Sequence, residues 1–406
     1  MTRVDSVAIA RRAKELLPRL IKWRRFFHEY PELSFQEEKT AARIVEILKD
    51  IQGMEIRTRV GGTGVIASLS KGEGACIALR ADMDALPISE ANDVPYRSRH
   101  PGVMHACGHD AHVAILLGAA CLLGERWADD PWCGEVRFLF QPAEECGGAD
   151  GLSGAPLMIR EGALEGVEGV VALHMHPGLP QGAIQVYDGP AMASTDFFYG
   201  SVQGTGGHGA YPHLGVDPTW LLLPVLQALH GIVSRRVSPM DPAAVSIGQI
   251  NGGSAENVIP EEVRVKGTIR SYDPAVRKRL IQEVKRAFSL TVPLGGDYHL
   301  QVEPGEPVLM NHPAINHRIV TVVQDLFPDF PIHRAPFGMG GEDFSHMTAL
   351  VPGAMFFLGC AKPDGVSREL HTPVFDLDEN CLADGAAILA ETALRFLQDP
   401  KLEGKT

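Results

Sequence analysis

The chain has 406 residues, which is longer than one ordinary domain and predicts two domains. Its hydrophobic fraction of 45% and charged fraction of 21% are typical of a globular protein with a full core. The net charge of -13, without a Lys/Arg cluster to form a phosphate-binding stripe, excludes nucleic acid as an expected partner.

The sequence also indicates a compartment. No apolar run is long enough for a signal peptide or a membrane span, so we expect a cytoplasmic protein that does not bind membranes. The seven cysteines are odd in number and scattered, which predicts reduced thiols rather than a disulfide framework.

The first part of the chain alternates helical and strand-like segments. Amphipathic periodicity predicts helices at residues 19–30 and 37–51. Short apolar runs predict buried strands at residues 65–69, 76–82, 135–141, 169–175 and 355–359. Apolar strands between helices are typical of an α/β fold, here a mixed sheet with helices on both faces.

The stretch MHACGHDAH, residues 104–112, gathers three imidazoles, a thiol and a carboxylate just before an apolar helix. We expect Cys107 and His109 to lie on an extended segment, where side chains two residues apart face the same way. A helix N-terminus also favours a thiolate. The alternative interpretation is that the cysteine and the histidines only line the start of a helix and bind nothing.

Polar residues follow several predicted strands. They are Asp82 and Asp84, Glu144 and Glu145, and His174 and His176. In open α/β sheets the ligand crevice lies at the carboxyl ends of the strands, so we expect these groups to converge there. Glu144 and Glu145 are expected to close a strand and therefore to point in opposite directions.

A metal centre follows from combining these groups. The expected ligand set is Cys107, His109, Glu145, His174 and His371. One thiolate, three imidazoles and one carboxylate suit borderline divalent ions, namely zinc or manganese, with cobalt and nickel as alternatives. Five ligands exceed the usual number for one catalytic zinc, so we expect two ions that share a bridging group, with Cys107 as the bridge.

The pattern of predicted strands and helices changes at about residue 191. The following segments predict strand, helix, strand, strand, helix and strand, which is the ferredoxin-like βαββαβ plan of an inserted domain. We therefore predict a catalytic domain in two parts, residues 1–190 and 305–406, around a lid and dimerisation domain at residues 191–304. The helix that contains TWLLLPVLQALHGIV is apolar nearly all round, which predicts a homodimer through the lids.

Along nearly its whole length the chain resembles the two-metal amidohydrolases and exopeptidases, which include aminoacylases, hippurate hydrolase, auxin-conjugate hydrolases and some carboxypeptidases. The motifs that carry the resemblance are HEYPELSFQE, LRADMDALP, GVMHACGHDAH, FQPAEE, ALHMHP, GGHGAYPH, GGSAENVIPE, GTIRS, GGEDFS and LHTPVFDLDE. No single motif decides the matter, but so many in one order are specific.

The resemblance implies roles for individual residues. It assigns metal ligation to the five residues of the expected set and the general base to Glu144. It implies that His208 stabilises the oxyanion formed when water attacks the amide carbonyl. It also implies that Asn257 and Arg270 bind the carboxylate of the substrate. The implied reaction is hydrolysis of N-acyl amino acids, in which Glu144 takes a proton from the attacking water and returns it to the leaving amine. The expected partner is thus a small molecule with a free carboxylate.

The chain departs from the family pattern at two places. Relatives usually have another residue where this chain has His176, so His176 stays open as an alternative ligand to His174, and the run CGGADGLSGAPLMI is longer in small residues than the usual glycine-rich stretch. Asp82 stands near where the wider superfamily has a ligand histidine, and Asp84 is expected to orient rather than bind. His105 and His112 receive no role beyond the core or support of the ligands.

Three other functions stay open at this stage. One is a metallocarboxypeptidase that acts on dipeptides. Another is a metal-free cysteine hydrolase with Cys107 as nucleophile. The last is a catalytically silent metal-binding protein, which the pairing of Glu144 with Glu145 disfavours because only catalysis requires the acid that is not a ligand.

Overall fold

The computed structural model of the protein describes residues 3–127 and 132–402. The helices in this part of the chain are α1 (Arg3–Glu29), α2 (Glu38–Leu48), α3 (His109–Arg126), α4 (Gly154–Arg160), α5 (Pro218–Arg236), α6 (Pro274–Phe288), α7 (Pro313–Leu326), α8 (Ser345–Thr348) and α9 (Cys381–Gln398). None of these helices combines the length and the apolar character that crossing a membrane requires.

The strands of the same described residues are β1 (Glu55–Val60), β2 (Gly64–Lys71), β3 (Cys76–Asp82), β4 (Gly134–Gln141), β5 (Gly169–Pro180), β6 (Ile184–Val186), β7 (Gly189–Met192), β8 (Ser194–Gln203), β9 (Gly207–His208), β10 (Ala243–Gly252), β11 (Val258–Ile259), β12 (Glu262–Ser271), β13 (Asp297–Pro304), β14 (Leu309–Asn311), β15 (Ile332–Arg334) and β16 (Gly353–Ala361).

The chain divides into two compact units. The first comprises Met1–Gly189, Met310–Ala335 and His346–Thr406, and the second comprises Pro190–Leu309 and Pro336–Ser345. Residues 336–345 thus group with the second unit, whereas the sequence analysis placed them in the catalytic domain. The functional limits of the domains stay a prediction.

The first unit is built on an eight-stranded sheet in the order β1-β2-β4-β3-β5-β16-β6-β15. Its centre, β4-β3-β5-β16, is parallel, while β1, β2 and β6 add antiparallel pairs. Every residue of β3 is buried, so both faces of the sheet are covered there. Helices α1, α3 and α9 pack on one another and share a core with the strands. The predicted mixed α/β class is confirmed.

The second unit has a four-stranded antiparallel sheet in the order β10-β12-β8-β13. Helices α5 and α6 pack on each other and on this sheet. In chain order the elements are β8, α5, β10, β12, α6 and β13, which is the predicted ferredoxin-like plan. Strand β10 forms one edge of the sheet.

Candidate metal centre

Cys107 and His109 lie on either side of Gly108, at the N-terminus of α3. Gly108 has a φ of 90°, and a Cβ atom there would lie 2.8 Å from Met175 Cγ, so the position requires glycine. The expectation of an extended segment is therefore wrong, because the chain turns sharply into the helix. The turn still gathers both side chains, since their ligand atoms lie within 4.8 Å of each other and of one from His174.

One ring nitrogen of His109 is fixed by contacts with Asp84, and the other faces the cluster of ligand atoms. Its Nδ1 lies 2.9 Å from the carbonyl oxygen and 3.2 Å from the carboxylate of Asp84. Its Nε2 is buried and makes no hydrogen bond with the residues that the structure describes. Burial would lower the pKa of His109, but the carboxylates led by Asp82 outweigh it and raise this pKa to about 10. The ring thus sits where a positive charge is stabilised.

His174 is oriented in the same manner. Its Nδ1 lies 2.8 Å from the carbonyl oxygen of Met175, which leaves Nε2 to point at Cys107 Sγ at 3.4 Å. The ring stacks on Phe357, with 5.1 Å between ring centroids. A histidine held through Nδ1 presents the lone pair of Nε2, as metal-binding histidines do.

Glu145 and His371 complete the cluster. His371 Nε2 lies 3.3 Å from Glu145 Oε1, and His109 Nε2 lies 3.8 Å from the same oxygen. His371 has a φ of 60°, unusual for a residue with a side chain, and its N–H bonds to the carbonyl of Ala106. Strained backbone of this kind persists where surrounding contacts hold it, often at functional sites.

Among the groups of close ligand atoms, three contain only the expected ligands and Glu144, and the atoms of each group lie within 4.8 Å of one another. They are Cys107 with His109 and His174, Cys107 with Glu145 and His371, and His109 with Glu144 and Glu145. The donor set passes a test of fit, because the buried atom His109 Nε2 has no hydrogen-bond partner within residues 3–127 and 132–402. The cluster is able to hold two divalent ions. Cys107, His109 and Glu145 each belong to two of these sets, and the role of Cys107 as the bridge stays a prediction.

The thiol of Cys107 is poorly suited to act without a metal. Burial first, and then the carboxylates of Glu145 and Glu144, raise its pKa well above the ordinary value. A nucleophilic cysteine needs the opposite shift, since the thiolate is the reactive form. A divalent ion would supply the missing positive charge.

The remaining histidines nearby have different surroundings. His112 Nδ1 lies 2.5 Å from Asp82 Oδ1 and its Nε2 accepts the Met175 N–H, so no nitrogen is left for a metal. His176 accepts the Gly178 N–H and packs edge-on against Phe357, 5.8 Å away. This geometry supports His174 as the ligand. His105 is buried with neither nitrogen hydrogen-bonded in the described chain, and burial lowers its pKa to about 3.

The acid loop, residues 142–145, carries both glutamates. Strand β4 ends at Gln141, so the interpretation that Glu144 and Glu145 close a strand is wrong. Ala143 turns the chain at a φ of 49°. The N–H of Glu145 donates to Asp84 Oδ2 at 3.1 Å, so one aspartate contacts both this loop and the ring of His109. The two glutamates share a set with His109, and both are half-buried.

A buried ion network lies behind the turn at Gly108. Asp110, the residue after His109, accepts from Arg24 Nε at 2.8 Å, and its Oδ2 lies 2.7 Å from His28 Nδ1. Although burial would raise the pKa of Asp110, the Arg24 guanidinium holds it well below the usual range. The sequence analysis assigned no role to these residues. Their charge pattern is not visible in sequence because α1 and α3 are far apart along the chain.

The other predicted site residues belong to the second unit. His208 in β9 pairs with Val258 in β11, and the N–H of Gly209 donates to the carbonyl of Asn257 at 2.8 Å. His208 and Asn257 therefore lie beside each other at one exposed two-stranded sheet, β9 with β11. Arg270 in β12 is half-buried, donates to Thr268 Oγ1 and forms no salt bridge with the described residues.

Comparisons with known proteins agree with this geometry. The family model described as peptidase family M20/M25/M40 matches residues 78–395. The N-acetyl-L-cysteine deacetylase of Bacillus subtilis is 40% identical over 390 residues, covering 93% of this chain and 88% of that protein. Thermostable carboxypeptidase 2 of Saccharolobus solfataricus is 37% identical over 388 residues, covering 94% and 96%.

A solved structure of a peptidase from this family also matches the chain. The crystal structure of the Bacillus subtilis YXEP protein, described as a dinuclear metal-binding peptidase of the M20 family, has a TM-score of 0.81 and 34% identity. The match covers 95% of this chain and 99% of that one. The chain belongs to peptidase family M20/M25/M40 and is a metal-dependent hydrolase of its amidohydrolase branch.

Proposed function

We propose that the protein hydrolyses the amide bond of N-acyl amino acids, releasing a carboxylic acid and an amino acid. The observation that carries the proposal is the convergence of one thiol, three imidazoles and a carboxylate beside a second acid, Glu144. Relatives named as a deacetylase and as a carboxypeptidase support the cleavage of an amide next to an amino acid. Short peptides are the alternative substrates.

We assign the ligands as the sequence analysis did. Cys107 would be the ligand shared by two divalent ions, and His109, Glu145, His174 and His371 would be the other ligands. When bound, zinc or manganese supplies the Lewis acidity that activates water and polarises the scissile carbonyl. Asp84 keeps His109 in the tautomer that presents Nε2.

Glu144 acts as general base. It lies on the acid loop beside the ligand Glu145, and its oxygen shares a set with His109. A carboxylate that is not a ligand keeps the basicity needed to take the proton from the attacking water. It then returns that proton to the amine nitrogen as the C–N bond breaks. The proton count balances with a free amine and a carboxylic acid as products.

We assign His208, Asn257 and Arg270 to the substrate. Arg270 is a half-buried cation without a carboxylate partner among the described residues, and such a guanidinium can hold a carboxylate through two hydrogen bonds. His208 would stabilise the oxyanion, and Asn257, at the same two-stranded sheet, would contact the substrate carboxylate. The substrate is then a small molecule that ends in a free carboxylate.

A substrate screen with two matched variants tests the proposal. N-acetyl amino acids, N-benzoyl amino acids and dipeptides are assayed with added zinc, manganese or cobalt. We expect Glu144→Gln to keep its metal content while kcat falls by roughly 10²-fold or more. Glu145→Gln should instead bind at least one ion more weakly and recover part of its activity in excess metal. A Glu144→Gln protein that fails to bind metal would show that the two roles are reversed.

The cysteine hydrolase is the second candidate to test. Cys107→Ala should lose both bound metal and activity under the metal mechanism. Loss of activity with full metal content, together with sensitivity to iodoacetamide and indifference to chelators, would favour the nucleophile instead. The raised pKa of the Cys107 thiol argues for the first outcome.

We further propose a cytoplasmic homodimer. All seven cysteines are free thiols, which suits a reducing compartment. Helix α5 of the second unit exposes Trp220 and Leu223, and a second copy is the partner that would cover them.

A further inference from the structure

The HEYPELSFQE stretch contains a buried carboxylate that the proposed mechanism does not use. Glu37 is fully buried. Its Oε1 accepts the N–H of Ala143 at 2.9 Å, and its Oε2 accepts the hydroxyl of Thr63 at 2.6 Å. Both carboxylate oxygens are thus engaged, and one of them holds the backbone of the acid loop.

Ala143 is the residue at which the acid loop needs such support. Its φ of 49° lies in the left-handed region, which alanine disfavours by about 1–2 kcal/mol. The next residue is Glu144 and the one after it is Glu145. A change in the Ala143 conformation would therefore redirect both glutamates.

The carbonyl group of the same residue is also fixed. The carbonyl of Ala143 accepts the N–H of Gly154 at 2.9 Å. A Cβ at position 154 would lie 1.7 Å from the carbonyl oxygen of Pro142, so glycine is required for this close approach. Glu37 therefore accepts the N–H of Ala143, and Gly154 donates to its carbonyl group, so both backbone polar groups of Ala143 are held.

We infer that Glu37 is a positioning residue, which fixes the acid loop so that Glu144 and Glu145 stand in their working geometry. The inference rests on the roles proposed above for those two glutamates. Among the described residues the Glu37 carboxylate hydrogen-bonds Ala143 and Thr63 and none of the proposed ligand side chains, so it acts through the Ala143 N–H. A misplacement of about 1 Å in a catalytic group can cost roughly 10²-fold in rate, so loss of this hydrogen bond is expected to be visible in kcat.

Three substitutions at position 37 separate positioning from burial. Glu37→Ala removes the acceptor, and Glu37→Asp keeps the charge but withdraws it from Ala143 by one methylene. Glu37→Gln keeps the acceptor, because its amide oxygen can face the Ala143 N–H while its NH2 group donates to the hydroxyl of Thr63. We expect kcat to fall roughly 10- to 100-fold in the first two variants and to stay within about 3-fold in the third.

Glu32 provides the matched control. It lies in the same stretch and likewise accepts a backbone N–H and a hydroxyl, both from Thr40, at 2.8 and 3.0 Å. It makes no side-chain contact with the acid loop among the described residues. Glu32→Ala should therefore change stability but leave kcat within about 3-fold of the parent.

The measurements are kcat and KM on an N-acyl amino acid, the dissociation constant of the more weakly held ion, and urea unfolding. Positioning predicts a fall in kcat with KM within about 3-fold, weaker binding of one ion, and rescue by glutamine. If Glu37→Ala does not fold, Glu37→Asp against Glu37→Gln makes the same comparison. Equal kcat values in the Glu37→Asp, Glu37→Gln and Glu32→Ala proteins would overturn the inference. If Glu144→Gln itself retains full kcat, the proposed function fails instead.

Discussion

At the scale of single residues, the metal centre depends on histidines in which one ring nitrogen is already hydrogen-bonded to the protein. His109 and His174 each have Nδ1 bound to a backbone carbonyl oxygen, so only Nε2 is available to the cluster. Met175 donates to His112, which removes that ring from competition as a ligand. The choice among the many histidines is therefore made by hydrogen bonds that the sequence does not display.

Arg270 gives a prediction about the substrate. Because it is half-buried without a salt-bridge partner in the described chain, a substrate carboxylate would be its first strong acceptor. Arg270→Ala should raise KM for N-acyl amino acids much more than for the corresponding amides, which lack that charge. Equal increases for both substrate series would remove the carboxylate role.

Glu37 gives a prediction about pH. Burial is the main cause that raises its pKa, to about 7, against an ordinary value of 4.5. A folded-state pKa above the unfolded value contributes stability below pH 4.5 that is lost as the pH rises through about 7. The metal-free parent should therefore lose unfolding free energy relative to Glu37→Gln between these pH values. Urea titrations of both proteins measure the difference, and a constant difference across that range would contradict the prediction.

At the scale of elements, the sequence predicted most long segments and few short ones, although of α1 it predicted only residues 19–30. Helix α5 includes the whole predicted segment TWLLLPVLQALHGIV, because Asp217 caps it and apolar residues recur along it. Strands β6 and β15 were missed, since each has three residues and depends on pairing with distant chain. The turn at Ala143 was also missed, because alanine gives no signal for a positive φ.

The turn into α3 can be tested with two glycines. Gly102 and Gly108 both have positive φ, but a Cβ at Gly102 meets nothing within 4 Å, whereas one at Gly108 meets Met175 at 2.8 Å. Gly102→Ala should cost about 1–2 kcal/mol of unfolding free energy and keep full metal content. Gly108→Ala should cost more and weaken metal binding as well, because the turn holds Cys107 and His109. Isothermal titration with zinc and urea unfolding check both effects, and identical results for the two variants would contradict the prediction.

The buried pairing of α1 with α3 gives a second prediction at this scale. Arg24 and Asp110 are fully buried and 2.8 Å apart, so Arg24→Met leaves the buried Asp110 carboxylate without its guanidinium partner and should cost about 3–5 kcal/mol. The exposed pair of Arg12 and Glu125 has the same separation of 2.8 Å but side chains that are 43% and 40% accessible. Arg12→Met should therefore cost less than about 1 kcal/mol. Urea unfolding of the two variants at pH 7 measures the contrast, which similar losses would refute.

At the scale of the whole molecule, the sequence predicted the fold class and the order of elements but not the contacts of the centre. The residues of the cluster are spread from Cys107 to His371, and the sheet order β4-β3-β5-β16 brings the acid loop, α3 and β5 to one place. That order depends on pairing between distant strands, which periodicity does not encode. The ligand set was therefore suggested by residue chemistry, and its geometry came from the fold.

The exposed surface around helix α5 predicts that two copies of the chain form a dimer. Helix α5 leaves Trp220 51% and Leu223 62% accessible although its other face fills the core of the second unit. Strand β10, which packs beside α5, is an edge strand and pairs only with β12 among the described residues. Apolar side chains next to an open strand edge favour pairing with another chain, and a second copy of the same surface closes the assembly.

We therefore expect the parent protein to be a dimer in light scattering, and the double variant Trp220→Glu with Leu223→Glu to be a monomer. Two buried like charges on each copy would repel across a symmetric interface. The control is Leu350→Glu, which changes a leucine in the first unit that is also 62% accessible and should leave the dimer intact. If the parent is already a fully active monomer at assay concentration, or if the Leu350 variant dissociates equally, α5 is not the interface. Urea unfolding of the variants distinguishes loss of the dimer from loss of the fold, because the exposed positions contribute little to the core of one chain.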